Sequence, residues 1–389
     1  MEALDKFMLY TKYVRGLCSV IGLDVLNPDF KRGFRTYFTF FLMGVYVVLS
    51  LNSLLAAENS TEVLKALSFG GFFLQCLLKL IFTMANRDQY HVNHSNLKES
   101  IYLKYLEGTD KQKNVILNNV SQLLLLVKGT SLLYFSSLIL FSIYPAYMYF
   151  IEEVKVPIFP LLVPGIDIYS AYGYGFTNMI HMILAVYGLF GALSSDTAFM
   201  MFIFHIVSYT DLLNINFVSF AEKICCVEEK YRTKDYAKFC RVEMRKLYLN
   251  HKAVIDFLTS LQMCYESICV VQVVSCVITI SLNLLLALMS DWYATYGFLI
   301  ASVFQLFIYA VLGTLIQLMN ERIIKLVYDA PWHLLPNSEK RSFQFLMFKT
   351  QRPIEMFVRG LGPLNVETFT EIMRMIYSSF TMLYSFIVE

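Results

Sequence analysis

Seven long apolar stretches divide the chain, at 34–56, 63–84, 123–150, 176–207, 265–288, 293–318 and 366–388. Each reaches the roughly 20 residues that a helix needs to cross a bilayer core. Lipid offers the backbone no hydrogen-bond partner, so helices are the form such stretches take. The pattern predicts an all-α polytopic membrane protein with seven transmembrane helices. Helical periodicity also persists between spans. Val227, Tyr231, Phe239, Val242, Met244 and Leu247 recur through the charged segment 220–252, extending spans four and five as helix. In 326–357, Ser338 shortly after Pro336 marks a helix start, and Phe343, Leu346 and Met347 give that helix an apolar face. These pieces suit either a helical bundle outside the membrane or a solvated connection. The expected organisation is therefore an N-terminal segment (1–33), spans one to six (34–318) with a helical extension at 219–255, an anchor segment (319–365) and the last span (366–389).

Composition strengthens the reading: of 389 residues, 57% are hydrophobic and only 16% charged, with mean hydropathy +0.54. Soluble domains carry about 25% charged residues, and a soluble surface could not be built from so few. The net charge of +2 says little until the charges are placed. Nine basic residues lie at 223–252 and seven at 322–359, with further groups before the first span and between spans two and three. The remaining connections hold Lys155 and little else. The positive-inside rule then puts the N-terminus in the cytoplasm and, with seven spans, the C-terminus outside. Arg35, Lys79 and Lys128 fall inside spans, each toward the cytoplasmic end. Asn59-Ser60-Thr61 is a glycosylation acceptor in a loop that this topology places outside, whereas Asn93-His94-Ser95 falls inside.

Catalytic chemistry has little to work with. All eight cysteines fall in spans or on the cytoplasmic side, which excludes an extracellular disulfide framework. His91 and His94 stand without the further ligands a metal site needs, and no phosphate loop or nucleophile motif appears. Asp196 and His205 could face one another across several helical turns, and a structural polar contact near the membrane edge is the other reading. No enzyme, no cofactor, no metal and no nucleic-acid partner are expected.

Two patterns are more informative. In the last span, Ser378, Met382 and Ser385 form a stripe at spacings of four and three, with Phe386 four beyond Met382. Small hydroxyls alternating with bulky apolar groups suit a pore with a dewettable constriction, and suit helix packing as well. Elsewhere, Phe69, Phe72 and Phe73 share a face of span two, and Tyr134, Ser137 and Phe141 one of span three. His181, Leu184 and Tyr187 share a face of span four, while Tyr293 and Tyr296 open span six. Such faces supply a small-molecule pocket, mostly apolar with a few polar groups, or plain packing.

The C-terminal third carries a recognisable succession: Tyr328-Asp329-Ala330-Pro331-Trp332, Gln351-Arg352-Pro353, Gly360, Pro363-Leu364, Thr368-Phe369, Tyr377 and Phe380-Thr381-Met382-Leu383. It resembles the signature of the insect odorant receptors, and the seven spans match along the whole length. The resemblance implies a tetrameric ligand-gated cation channel in the plasma membrane of olfactory neurons, in which tuning subunits join a shared olfactory co-receptor. It implies a small volatile held in the outer half, between spans two to six; in such a pocket Tyr134, Ser137 or Tyr296 could offer a hydrogen bond. Met382 and Phe386 then correspond to gate positions and Ser385 to the polar position between them. Ser379-Phe380 and Ser385 stand where gustatory receptors and the co-receptor carry a threonine–tyrosine pair and a glutamine. The long insertion of the co-receptor before span five is missing. Both departures favour a tuning subunit. The rival readings are a gustatory-type channel working alone, a G-protein-coupled receptor, which needs the opposite orientation, and a transporter, which needs internal repeats.

Overall fold

The computed structural model describes residues 2–27, 29–228, 234–290, 292–358 and 360–388; the side chains of 227, 228, 234, 235, 383 and 386–388 also lie outside the description, so the readings placed on Val227, Tyr231 and the Phe386 side chain cannot be placed. The chain is 83% helical. Its helices are α1 (Glu2–Val20), α2 (Phe34–Leu55), α3 (Ser60–Ala85), α4 (Arg87–Leu97), α5 (Asp110–Phe150), α6 (Ala171–Glu228), α7 (Lys234–Met289), α8 (Ala294–Asp329), α9 (Asn337–Thr350) and α10 (Val366–Val388). Two short antiparallel strands, β1 (Phe357–Val358) and β2 (Gly362–Pro363), form a minimal hairpin before α10. Gly360 and Gly362 there take φ of +89° and +101°, which side-chain-bearing residues resist.

Among the described residues, α2, α3, α5, α6, α7 and α8 are long and apolar enough to cross a bilayer. Only 22% of the apolar window of α5 and 50% of that of α7 are buried within the chain, which leaves wide apolar faces for lipid. The seventh stretch is helical too, as α10, but Glu367, Glu371 and Arg374 set its first half apart from those six. Several helices outrun their apolar stretches. At about 1.5 Å per residue, the 58 residues of α6 and 56 of α7 extend to roughly 85 Å, against about 30 Å of hydrocarbon. Nothing in their polar halves breaks a helix, so they run on well beyond the length that a bilayer core needs.

The polar halves form a bundle with α9. Phe343 and Leu346 of α9 are buried, Arg241 of α7 bonds Glu339 at 3.2 Å, and Tyr236 donates to the Leu334 carbonyl at 3.1 Å. The N-terminal segment holds a helix that its interrupted apolar pattern did not announce. α1 buries Phe7, Tyr10, Val14 and Cys18 against α5 and α6, and the Tyr10 hydroxyl donates to the Thr197 carbonyl at 2.6 Å. At the other end, α8 lies close against the segment that leads into α10. A Cβ on Gly313 would lie 1.7 Å from the Leu364 carbonyl oxygen, so glycine alone permits that contact.

Candidate ligand site

Two layers lie on top of one another between α2, α3, α5, α6, α7 and α8. The upper one is aromatic. Tyr46 of α2 stacks on Phe73 of α3 at 3.7 Å, and Phe69 meets Phe298 of α8 edge-on at 5.6 Å. Phe141 of α5 lies 4.4 Å from Phe298, and Trp292 closes that side at 6.0 Å. Phe159, from the connection between α5 and α6, stacks on Phe69 at 4.1 Å and lies 5.5 Å from the His181 ring of α6. These rings share one buried cluster with Leu42, Met43, Leu49, Leu161 and Leu184. Polar groups are few here: Tyr46 lies beside Ser50, the loop backbone holds His181, and Thr279 Oγ1, beside Gly71 on α3, makes no hydrogen bond.

The lower layer is a polar network. Lys79 of α3 bonds Asp196 of α6 at 2.9 Å, with both side chains almost wholly buried (3% and 6% exposed). Tyr309 of α8 donates to the same carboxylate at 2.8 Å and accepts from Lys79 at 3.1 Å, while Tyr134 of α5 donates to its other oxygen. Gln305 donates to the Tyr134 hydroxyl at 3.1 Å. Gln75 of α3 and Gln272 of α7 complete the chain, joined at 2.6 Å, and both donate to Gln305 Oε1. Five helices are thus tied at one level. A buried ion pair is costly to desolvate, and this one is offset by hydrogen bonds on every side.

The expected pocket residues divide between these surroundings. Phe69, Phe73, His181 and Leu184 are buried in the aromatic cluster, and Phe72, Phe141, Tyr134 and Tyr187 pack partly buried against it. The Tyr134 hydroxyl, however, is engaged below by Asp196, and the Ser137 hydroxyl by its own helix at the Tyr134 carbonyl, 2.8 Å away. Tyr293 and Tyr296 are 65% and 51% exposed and stay outside the cluster, Tyr293 meeting Tyr144 instead. Asp196 and His205 do not meet. Nine residues apart on one helix, they are separated by roughly 13 Å along its axis, and each makes its own structural polar contact, His205 with Tyr102 at 2.8 Å and Asp196 with Lys79 at 2.9 Å. Lys79, read as lying in span two toward its cytoplasmic end, is buried among the helices.

Tyr46, Phe159, Trp292 and Phe298 were missed. For Tyr46 the signal was present, since Leu42, Tyr46, Leu49 and Ser53 repeat at helical spacing and are all buried. On α10, Ile372 and Ile376 are buried against the bundle, while Ser378, Met382 and Ser385 lie on its exposed side. Asn59 is exposed at the start of α3.

Comparison with known proteins gives this geometry a context. A family model described as 7tm odorant receptor matches residues 59–377. The chain belongs to the odorant receptor family. The receptor is 24% identical to putative odorant receptor 83c of Drosophila melanogaster over 397 residues, covering 96% of each chain. It is 22% identical to odorant receptor 10 of Aedes albopictus over 247 residues, covering 62% of this chain and 63% of that one. Its fold is similar to that of the insect olfactory receptor OR5 from Machilis hrabei, solved in complex with eugenol. The TM-score is 0.75 at 13% identity, over 97% of this chain and 98% of that one. This is an insect odorant receptor, a multi-pass membrane protein of a receptor class rather than an enzyme.

Proposed function

We propose that this receptor is the odorant-tuning subunit of a heterotetrameric, ligand-gated, non-selective cation channel formed with the olfactory co-receptor in the plasma membrane of olfactory neurons. The aromatic cage of Tyr46, Phe69, Phe73, Phe141, His181 and Phe298 is the seat of a small volatile. The observation that carries this is the pairing of closely stacked rings with a few enclosed polar groups. A seat for an oxygenated volatile is mostly apolar with a few polar groups to orient the ligand, and His181 among the rings and Thr279 beside Gly71 bring such groups. That Machilis hrabei OR5 was solved with eugenol, a ring bearing oxygens, supports the same class here.

Binding contributes about 25 cal/mol per Å² of apolar surface buried, and one oriented hydrogen bond adds about 1 kcal/mol. Opening follows only when the ligand favours the open arrangement. α8 is the connecting element: Phe298 touches the cage, Tyr309 the polar layer, and Phe307 meets Phe369 of α10 at 5.5 Å. α10 crosses the membrane as the seventh span, with the N-terminus of the chain inside and Asn59 available for glycosylation outside. Its exposed stripe of Ser378, Met382 and Ser385, with Phe386, lines the pore beside the same helix of its partners. Whole-cell current from cells expressing the chain with and without the co-receptor tests this reading. Odorant-evoked cation current only in the pair supports it. Current from the chain alone moves it to a self-sufficient, gustatory-type channel.

A further inference from the structure

The connection between α5 and α6, residues 151–170, behaves unlike a surface loop. Glu152, Glu153 and Tyr169 are exposed, yet Phe159 is 5% exposed and Leu161 fully buried. Prolines stand at Pro157, Pro160 and Pro164. Each fixes its own φ and disfavours helix in the residue before it, so the connection runs without helix from 153 to 163, with a bend at 158–160. The backbone is pinned as well. Ile158 N–H donates to Asn178 Oδ1 at 3.0 Å, Phe159 N–H to His181 Nδ1 at 3.4 Å and Leu162 N–H to Ser53 Oγ at 2.7 Å. The Phe159 ring then lies nearly parallel to that of Phe69, at 4.1 Å and 30°. One flat apolar group, delivered from outside the helix bundle, thus stacks in the cage and brings a hydrogen bond to His181.

We infer that Phe159 is a resident plug, holding the position that a ligand's flat group takes, and that a ligand binds by displacing it. This rests on the cage being the odorant seat, and it names the ligand class: compact, flat, unsaturated volatiles carrying one hydroxyl or carbonyl oxygen. The flat body takes the Phe69 face. The oxygen takes His181, whose ring the loop now engages: Nδ1 accepts from Phe159 N–H, and the Leu161 backbone carbonyl accepts from the ring. With the loop gone the imidazole offers both an acceptor and a donor, so hydroxyl and carbonyl oxygens both suit it. Every ligand competes with a tethered ring that its prolines keep ready to return, and apparent affinity falls by the fraction of receptors left open.

The test is whole-cell current from cells expressing the receptor with its co-receptor, under toluene, benzaldehyde and benzyl alcohol. Phe159→Ala lowers the half-maximal concentrations of benzaldehyde and benzyl alcohol by roughly threefold to tenfold, the worth of one ring stack. Toluene, lacking the oxygen, responds more weakly throughout. Phe159→Leu keeps the apolar volume and shifts in the same direction, which serves if the alanine variant does not reach the surface. Unchanged or raised values in these variants, with Phe73→Leu still impairing responses, overturn the plug and leave the seat standing. No change in any of the three variants overturns both. Silence of the unaltered receptor to all three volatiles overturns the ligand class. A second readout needs no dose curve. None of the eight natural cysteines lies in 151–170, so Phe159→Cys is labelled from outside by an impermeant thiol reagent against a low background. Faster labelling in benzaldehyde is expected, and equal rates overturn displacement.

Discussion

The aromatic cage and the polar layer beneath it are neighbours on the same helices, yet they solve opposite problems. In the lower layer every charged or polar head has a partner, and Lys79, Asp196, Tyr134, Tyr309, Gln305, Gln272 and Gln75 make one connected network. In the upper layer polar groups are few and locally held, Tyr46 beside Ser50 and His181 on the loop backbone, while Thr279 Oγ1 makes no hydrogen bond. A satisfied network fixes the relative positions of five helices, because losing one member strands the rest. A cage whose polar groups are held so locally has no such network to lose. The contrast separates a frame from a seat, and substitutions in the two layers are expected to act in different currencies.

The largest effect falls on the frame. Asp196→Leu leaves the Lys79 ammonium buried and unpaired, a loss of about 3–5 kcal/mol, read as lost surface delivery and a lower melting temperature in detergent. Adding Lys79→Met restores much of it, since apolar replacement of a whole buried pair is often neutral. If the single change were as stable as the native chain, the frame would be no frame. Next is Gly313→Ala, whose new Cβ would meet the Leu364 carbonyl at 1.7 Å. It should cost about 1–3 kcal/mol by overpacking and reduce maximal current more than it shifts ligand sensitivity. In the cage the sign reverses. Thr279→Val removes an unpartnered hydroxyl and should raise stability by about 1 kcal/mol. The melting temperature checks this.

The smallest prediction lies outside both layers, where α1 meets α4. Burial, followed by the nearby His91, Arg15 and Lys98, pushes His94 from its ordinary 6.5 down to about 4. The folded state therefore favours neutral imidazole. Above about pH 6.5 both states are neutral and nothing is lost; stability declines as pH falls from there toward 4, where the unfolded chain alone takes the proton. A melting-temperature series across that window should show the decline, and His94→Gln should make it shallower, with buried His251, also pushed down to about 4, keeping its share.

Much of the architecture was legible because lipid forces a simple code. Apolar stretches of sufficient length become helices, and each of the seven stretches falls on one. The α9 helix was legible from Pro336 and Ser338, and half of the cage from the face shared by Phe69 and Phe73. What could not be read depends on tertiary placement. Lys79 and Asp196 lie 117 residues apart, and nothing local in either segment announces the other. Tyr134 looked available for a ligand, but its hydroxyl turns down to that carboxylate. Tyr293 and Tyr296 had the right chemistry at the wrong rotation, because α8 presents Phe298 inward instead. Phe159 sits in a connection, where helical periodicity carries no information. α1 was hidden because its apolar face is amphipathic rather than continuous.

The central claim is that the aromatic cage is the odorant seat, and Phe73→Leu tests it most directly. That change nearly conserves volume while removing the ring stacked on Tyr46 at 3.7 Å. The measurement is the half-maximal concentration of an activating volatile in whole-cell recordings with the co-receptor, alongside surface level. The account predicts a rise of roughly threefold to tenfold for flat, oxygenated ligands, with surface level held. Unchanged sensitivity to every activating volatile at normal surface level would contradict it.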